Sequence, residues 1–223
     1  DEVLATYRAA LERGLARDVV PRIADRAVKF CQAWFVDTPD ALPSLLNQIV
    51  ERYPEIDWAF ERLVVLLTSS ADWGQLLTLY DRSLAATRDE KKRRRLLEDA
   101  SRRAKDFADQ PDRAADYLQQ LLRLDPGNDK LVTALERLLE RRERWEELTA
   151  LWRDQLPNLS TEDARTTRAK IAQIALDKLG APDRAVAELG ELVEENPDNR
   201  DASSQLERIL GLEGANLEVR REA

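Results

Sequence analysis

The stretch Arg123–Trp152, RLDPGNDKLVTALERLLERRERWEELTALW, contains a proline, a short run of turn-forming residues and then two helical patterns. Two other stretches follow the same order: ERYPEIDWAFERLVVLLTSSADWGQLLTLY at residues 51–80 and EENPDNRDASSQLERILGLEGANLEV at residues 194–219. In each, a Glu-Arg-Leu or Glu-Arg-Ile triplet lies in the helical pattern after the proline. The repetition predicts an internal repeat, and a repeat decides the fold.

The length of the repeat is fixed by two series of prolines and a pair of tryptophans. Within each set, successive members are 71 or 72 residues apart. The markers are Pro54, Pro126 and Pro197; Pro39, Pro111 and Pro182; and Trp73 and Trp145. Because independent markers share one period, the sequence predicts tandem copies of one structural unit.

Each period contains four amphipathic patterns. In the middle copy they predict helices at 90–108, 112–124, 129–142 and 144–156, because apolar residues recur every three or four positions. Asp112 is expected to be the N-cap of the second helix, and Asn128 or Asp129 that of the third. No stretch alternates with a period of two, so no sheet is predicted.

Four helices per period form two hairpins, and one hairpin cannot bury its apolar stripe without stacking on its neighbours. We therefore predict an all-α fold, a right-handed superhelix of stacked hairpins in one continuous domain, 1–223. Its expected parts are a partial unit 1–18, copy 1 at 19–89, copy 2 at 90–160 and an incomplete copy 3 at 161–223. The closing NLEVRREA predicts the start of a further helix, and the missing caps favour a segment of a longer array or an array continued by other domains.

The second helix of each copy carries a family resemblance. In PDRAADYLQQLLRLDPGN and PDRAVAELGELVEENPDN, a small residue near the start is followed four positions later by leucine, and a proline closes the unit. The chain thus resembles tetratricopeptide repeats, in the degenerate form of long bacterial repeat proteins. Ala114 and Ala185 match the small residue of that family, whereas Leu42 in copy 1 departs from it. The resemblance implies a protein or peptide partner and a non-catalytic scaffold.

Composition excludes several classes of function. The net charge is −8, which disfavours nonspecific binding to nucleic acids and anionic membranes. There is no histidine, the commonest general base and metal ligand, so we predict no catalytic site, metal or cofactor. Cys31 is the only cysteine, and no apolar run has the length of a membrane helix. Cytoplasm is the default location, with a periplasmic or envelope-associated one left open.

One basic cluster keeps nucleic-acid binding as an alternative. It consists of Lys91, Lys92, Arg93, Arg94, Arg95, Arg102, Arg103 and Lys105. A phosphate-binding stripe is one interpretation. The favoured one is a solvated helix face, because Glu90, Glu98 and Asp99 lie within reach of several of these cations and no aromatic residue is interleaved.

The resemblance implies that the first helix of each hairpin lines a concave groove. Superposing the copies in register places eleven residues near it: Trp34, Trp58, Glu61, Val65, Asp99, Arg103, Lys130, Thr133, Arg137, Lys170 and Asp177. We expect this groove to hold another protein or peptide. The alternative is a regulatory or sensor array attached to an effector or enzyme domain outside this segment. For Trp34 and Trp58, core packing is weighed equally against partner binding.

Overall fold

The computed structural model describes the backbone of residues 2–16 and 18–222 and the side chains of residues 2–16 and 18–211. In this part of the chain there are twelve α-helices, one short 3-10 helix and no strand, which confirms the predicted all-α class. The chain divides into two compact units, Asp1–Gly127 and Asn128–Ala223.

Unit 1 contains seven helices joined by short turns. Each helix packs against the next one along the chain, and α1 also contacts α3. Contacts between sequence neighbours are the pattern expected of stacked hairpins. The helices are α1 (Glu2–Glu12), α2 (Val20–Trp34), α3 (Ala41–Arg52), α4 (Asp57–Ser69), α5 (Trp73–Ala86), α6 (Glu90–Asp106) and α7 (Pro111–Leu124).

Unit 2 repeats this arrangement with five helices. Again each helix packs against its successor, and the 3-10 helix Leu156–Asn158 fills the long connection that follows the second of them. The helices are α8 (Asp129–Arg141), α9 (Trp145–Gln155), α10 (Thr161–Asp177), α11 (Pro182–Glu195) and α12 (Arg200–Glu222).

The predicted register of the copies is confirmed by the helix boundaries. Trp73 and Trp145 begin α5 and α9, and Pro111 and Pro182 begin α7 and α11. Asn128 caps α8 through its side chain, as expected. The predicted N-cap Asp112 is wrong, because the cap is Gln110 and Asp112 lies in the first turn. Pro111 takes the first helical position, where its missing N–H costs nothing.

The turns between helices repeat as closely as the helices do. Ala71 and Glu143, at equivalent positions, both adopt left-handed backbone conformations with φ of 53° and 55°. Asp109 and Gly180 form a second equivalent pair, with φ of 47° and 57°. After Ala71 and Glu143, the backbone N–H of the next residue donates to the carbonyl five residues back, at 2.9 Å in both copies. This bond satisfies a carbonyl at the end of the helix.

The end of copy 3 differs from the prediction. The backbone of Arg200–Glu222 is one continuous helix, so no new helix starts at Asn216. In copies 1 and 2, the segment after the corresponding break is held in the core by leucines such as Leu76 and Leu148, both fully buried. Residues 212–222 contain no proline and are rich in Leu, Glu, Ala and Arg, which favours continuing the helix.

The small residues that carry the family resemblance lie where helices meet. Ala114 on α7 and Ala185 on α11 are completely buried, as are Ala100 on α6 and Ala175 on α10. Contacts are extensive between α6 and α7 and between α10 and α11. Small side chains therefore allow the helices of a hairpin to approach closely, and Leu118 and Leu189 fill the space beside them.

Candidate binding surfaces

The predicted residues of α4 form one stripe in unit 1. Trp58, Glu61 and Val65 are spaced by three and four residues, so they lie on the same side of the helix. Val65 is 65% exposed, Glu61 is exposed and Trp58 is half-buried. An exposed valine beside a half-buried tryptophan gives this face an apolar patch that the core does not use.

Two predicted residues of α6, Asp99 and Arg103, join this stripe through hydrogen bonds. Arg103 Nη1 donates to Thr68 Oγ1 on α4 at 2.9 Å, and Arg103 Nε donates to Asp99 Oδ2 at 3.0 Å. Asp99 also accepts hydrogen bonds from Arg102 and from the hydroxyl of Tyr80 on α5. The network ties α4, α5 and α6 together, so the α4 stripe is held on a fixed support.

The ionisation of the network reflects these contacts. Burial acting alone would raise the pKa of Asp99, but hydrogen bonds from Tyr80 and Arg103 and the charge of Arg103 hold that pKa below its ordinary value. Burial and the bond to Asp99 raise the pKa of Tyr80. Burial opposes ionisation of Arg103, yet the bond to Asp99 leaves its pKa above the ordinary value. Asp99 and Arg103 are therefore an ion pair engaged in structure, with no free base for chemistry.

Trp34 lies at the end of α2 and is 75% exposed. Its ring lies 6.3 Å from that of Phe30, which also lies 6.0 Å from Tyr7 on α1. Val36 follows it and is equally exposed. Trp34 thus projects from an aromatic cluster that joins α1 and α2, and the core covers little of it.

In unit 2, a cavity of about 520 Å³ lies between α10 and α12 above α11. The buried leucines Leu189 and Leu192 line it from α11. Lys170 is the predicted residue that the structure places there. The other lining residues are mostly polar: Glu162, Arg165, Thr166, Ala169, Gln173, Asn196, Asn199, Asp201, Ala202 and Gln205.

Side chains around the cavity offer both hydrogen-bond donors and acceptors. The Oδ1 atoms of Asn196 and Asn199 accept backbone N–H groups, which leaves their amide N–H groups for a ligand. Gln173 donates through Nε2 to Asp177, a predicted residue, and so retains its carbonyl oxygen. The sequence pattern indicates only a turn at Asn196 and Asn199. The packing of α10 and α12 on α11 is what shows that they line a cavity.

The remaining predicted residues of unit 2 lie on α8. Lys130, Thr133 and Arg137 are all exposed and share one side of that helix. None of them lines the cavity between α10 and α12. Lys170 itself lies 6.0 Å above the ring of Trp152, a cation–π distance that positions its ammonium group.

A buried ionic cluster supports α10 and α11. The side chain of Glu188 is 9% exposed and accepts hydrogen bonds from Arg153 Nε at 2.8 Å and Arg168 Nη1 at 3.2 Å. Arg168 also approaches Glu191 at 3.7 Å and Glu195 at 3.9 Å. These charges compensate one another, which identifies them as part of the support of the helices.

Several cations of the basic cluster on α6 are paired with carboxylates. Arg102 and Arg103 pair with Asp99, as expected for a solvated helix face. Lys92 pairs with Asp57 on α4, and Arg94 with Asp125 at 3.1 Å, so these two reach beyond their own helix. Paired cations are poor ligands for phosphate, since binding would have to displace the carboxylate.

The described residues also bear on metal sites and membrane spans. Within them, no group of three or more His, Cys, Asp or Glu side chains is arranged to hold a metal ion. No helix in the same part of the chain has the length and apolar character needed to cross a bilayer. The single cysteine, Cys31, is buried, and burial raises the pKa of its thiol.

Comparison with known proteins adds structures but no sequence relatives. No protein-family model matches the chain, and no curated protein is a significant match. Solved structures that are similar include YrrB, a TPR protein with an unusual peptide-binding site. It shares 11% identity over 82% of this chain and 90% of that one, with a TM-score of 0.36.

Two further similar structures have comparable scores. TTC0263, a thermophilic TPR protein of Thermus thermophilus, shares 18% identity over 87% of this chain and 99% of that one, with a TM-score of 0.32. PilF of Pseudomonas aeruginosa shares 11% identity over 92% of this chain and 96% of that one, with a TM-score of 0.33. The structures found include TPR proteins, the family that the sequence resembles.

Proposed function

We propose that the chain is a non-catalytic scaffold that binds an extended peptide segment of another protein in the cavity between α10 and α12. The observation that carries this proposal is the polar rim of Asn196, Asn199 and Gln173 above the buried Leu189 and Leu192. An extended segment exposes both N–H and C=O groups, and carboxamide side chains can satisfy both. The leucines accept an apolar side chain, and Lys170 adds a positive charge at the rim.

A non-catalytic role is supported by how the ionisable groups are used. The chain has no histidine. Tyr80 and Tyr117, whose pKa values are raised by burial and by hydrogen bonds to Asp99 and Asp81, lie in contacts between helices. Groups tied up in such contacts are unsuited to moving protons to a substrate.

Selection from a displayed library of random peptides tests the proposal. We expect the chain to enrich peptides whose binding is weakened by Lys170→Glu and by Gln205→Ala, two lining residues that are not helix caps. Lys105→Glu, on an exposed part of α6 in unit 1, is the charge-matched control and should leave binding unchanged. Enriched peptides that bind all three variants as well as the wild type would contradict the proposed site.

A further inference from the structure

A second groove lies in unit 1 between α3 and α5. It consists of two adjoining cavities, of about 920 Å³ and 130 Å³, that share Asn47, Leu79 and Arg82. The first halves of both helices line the larger cavity and their second halves line the smaller one, so α3 and α5 run in the same direction along the groove. With twelve residues in α3, the groove is about 18 Å long. None of the eleven residues predicted from the sequence lines it.

The groove has an apolar floor and a low wall. Leu63, Leu67 and Leu79 form the floor and are buried in the core. On the wall made by α5, Gly74 lies one turn before Thr78, and a Cβ atom added at Gly74 would approach only Asp72 Oδ1, at 3.9 Å. Because Gly74 and Thr78 keep this part of the wall low, an apolar side chain from a ligand can reach the leucines beside them.

Three hydroxyl groups along the groove have already used their hydrogens, whereas Ser44 Oγ accepts from Arg8 Nη2 at 3.4 Å and keeps its hydrogen. Ser69 Oγ donates to the carbonyl of Leu66 at 2.8 Å, Ser70 Oγ to the same carbonyl at 3.1 Å, and Thr78 Oγ1 to the carbonyl of Gly74 at 2.9 Å. Their oxygen atoms remain able to accept. These three side chains therefore offer a ligand acceptors but no donors.

The amide and guanidinium groups of the groove are also occupied. Gln75 Nε2 donates to Asp72 at 2.7 Å, and Asn47 Nδ2 donates to Glu51 at 3.1 Å. Arg82 spans the groove from α5 and donates to both Asn47 and Glu51 on α3. Each of the two amides keeps a further N–H group and Arg82 keeps several, but an extended peptide needs a donor for each of its carbonyl groups, and acceptors predominate in the groove. A helix satisfies its own backbone and needs only side-chain contacts.

Charge selects which helix fits. Asp40 is exposed at the start of α3 and makes no capping bond with its side chain, and Asp72 caps α5 at the same end. Two full negative charges outweigh the roughly half positive charge that each helix N-terminus contributes. Arg82, the basic residue of the lining, is paired with Glu51. The lining carries three carboxylates, Asp40, Asp72 and Glu51, against the one cation of Arg82, and Arg8 on α1 adds a second cation beside Ser44. The groove thus keeps a net negative charge and is rich in acceptors.

We propose that the groove between α3 and α5 binds a helix of a partner protein whose apolar stripe is flanked by lysine or arginine. One apolar side chain of that helix contacts Leu63, Leu67 and Leu79. A flanking cation approaches Asp40 and the hydroxyl acceptors of the wall. This site is independent of the cavity between α10 and α12, and it calls for a helical ligand where that cavity calls for an extended one.

Three designed peptides of one length distinguish these features. The first is an amphipathic helix with a leucine stripe flanked by lysines, the second replaces the lysines by glutamates, and the third keeps the lysines but carries two central prolines. Titration into the isotope-labelled chain, followed by amide NMR shifts, should show that the first peptide perturbs Ser44, Asn47, Gly74 and Thr78. The other two should bind at least about tenfold more weakly. The glutamate peptide is repelled by the carboxylates of the groove, and the proline peptide leaves backbone carbonyl groups without donors.

A matched pair of glycine variants locates the site. Gly74→Arg places a bulky cation in the groove, and we expect it to weaken binding of the lysine-flanked peptide by about tenfold or more. Gly190→Arg, at a glycine of α11 that also faces open space, should leave binding unchanged. Circular dichroism confirms that both variants fold. The proposal is overturned if the lysine and glutamate peptides bind equally, if the shifts map to another face, or if Gly74→Arg has no effect.

Discussion

Arg153 on α9 and Glu188 on α11 form in unit 2 the polar contact that Asp81 on α5 and Tyr117 on α7 form in unit 1. Arg153 Nε donates to Glu188 Oε1 at 2.8 Å, and Tyr117 Oη donates to Asp81 Oδ1 at 2.6 Å. The paired positions are 72 and 71 residues apart, so they are equivalent in the repeat. Both units thus have a polar contact at this place between successive copies. In unit 1 a tyrosine donates to an aspartate, and in unit 2 an arginine donates to a glutamate.

That equivalence predicts that the two contacts can be exchanged. Arg153→Asp alone places a carboxylate beside Glu188. Glu188→Tyr alone removes the carboxylate that Arg153 and Arg168 share and leaves Arg168 with its more distant partners Glu191 and Glu195. Together, the two changes should rebuild the contact of unit 1, because Arg184 occupies the position of Arg113, which pairs with Asp81. We expect a favourable coupling of about 0.5–3 kcal/mol in the free energy of unfolding, measured with urea for the four members of the cycle. Simple additivity would mean that the two contacts are not equivalent.

The buried tyrosines predict a specific alkaline behaviour. Burial and hydrogen bonds to Asp99 and Asp81 raise the pKa values of Tyr80 and Tyr117 above the ordinary value. Their contribution to stability is fully present below the pKa of an unfolded tyrosine, about 10, and is lost as pH rises toward the folded value. Phenolate absorbance should therefore show a late phase that coincides with unfolding. Tyr80→Phe together with Tyr117→Phe should remove that phase, and a late phase that persisted would have another origin.

Asp99 predicts a matching loss of stability in acid. Its pKa in the folded state is lowered because the bonds from Tyr80 and Arg103 outweigh burial. The stabilisation is present above the unfolded pKa, near 3.8, and disappears as pH falls through the lower folded value. Asp99→Asn should therefore flatten the dependence of the unfolding free energy on pH below about 4.5. Glu61→Gln, a change at an exposed carboxylate, is the control, and an equal flattening there would contradict the assignment.

The left-handed residues of the turns predict opposite effects for two glycines. Gly180 has φ of +57°, where a Cβ atom is strained, so Gly180→Ala should destabilise unit 2 by about 1 kcal/mol. Gly190 lies within α11 with open space around it, so Gly190→Ala should stabilise the chain by about 0.5–1 kcal/mol. Thermal melts of both variants test this contrast, and a shift of the same sign in both would refute it.

The register of the repeat is predictable from the sequence because it depends on local signals. Trp73 and Trp145 begin helices at the spacing that the sequence shows, as do Pro111 and Pro182, whereas α3 begins at Ala41, two residues after Pro39. The end of copy 3 is not predictable, because ending a helix there depends on a docked neighbour. The sequence also does not predict that Asn196 and Asn199 line a cavity, because a turn has the same residues whether it faces solvent or a neighbouring helix.

The two tryptophans show how far helical phase can be trusted. The sequence cannot separate partner binding from core packing for Trp34 and Trp58, and it predicts the same for both. In the structure they differ: Trp34 is 75% exposed at the end of α2, whereas Trp58 is half-buried on α4. The spacing of a tryptophan from the apolar residues of its own helix does not show whether its ring is exposed. Exposure depends on contacts with residues outside the helix.

This difference gives a prediction for stability and binding together. Trp34→Ala should change the free energy of unfolding by no more than about 0.5 kcal/mol, as exposed substitutions do. Trp58→Ala should cost about 1–3 kcal/mol, less than a fully buried tryptophan, because part of its ring already faces solvent. Denaturation in urea measures both values. If the α4 stripe also binds a partner, Trp58→Phe, which preserves most of the packing, should weaken binding by more than it lowers stability. An equal loss of unfolding free energy in the two alanine variants would mean that both tryptophans have the same environment, and it would contradict the exposure of Trp34 at the end of α2.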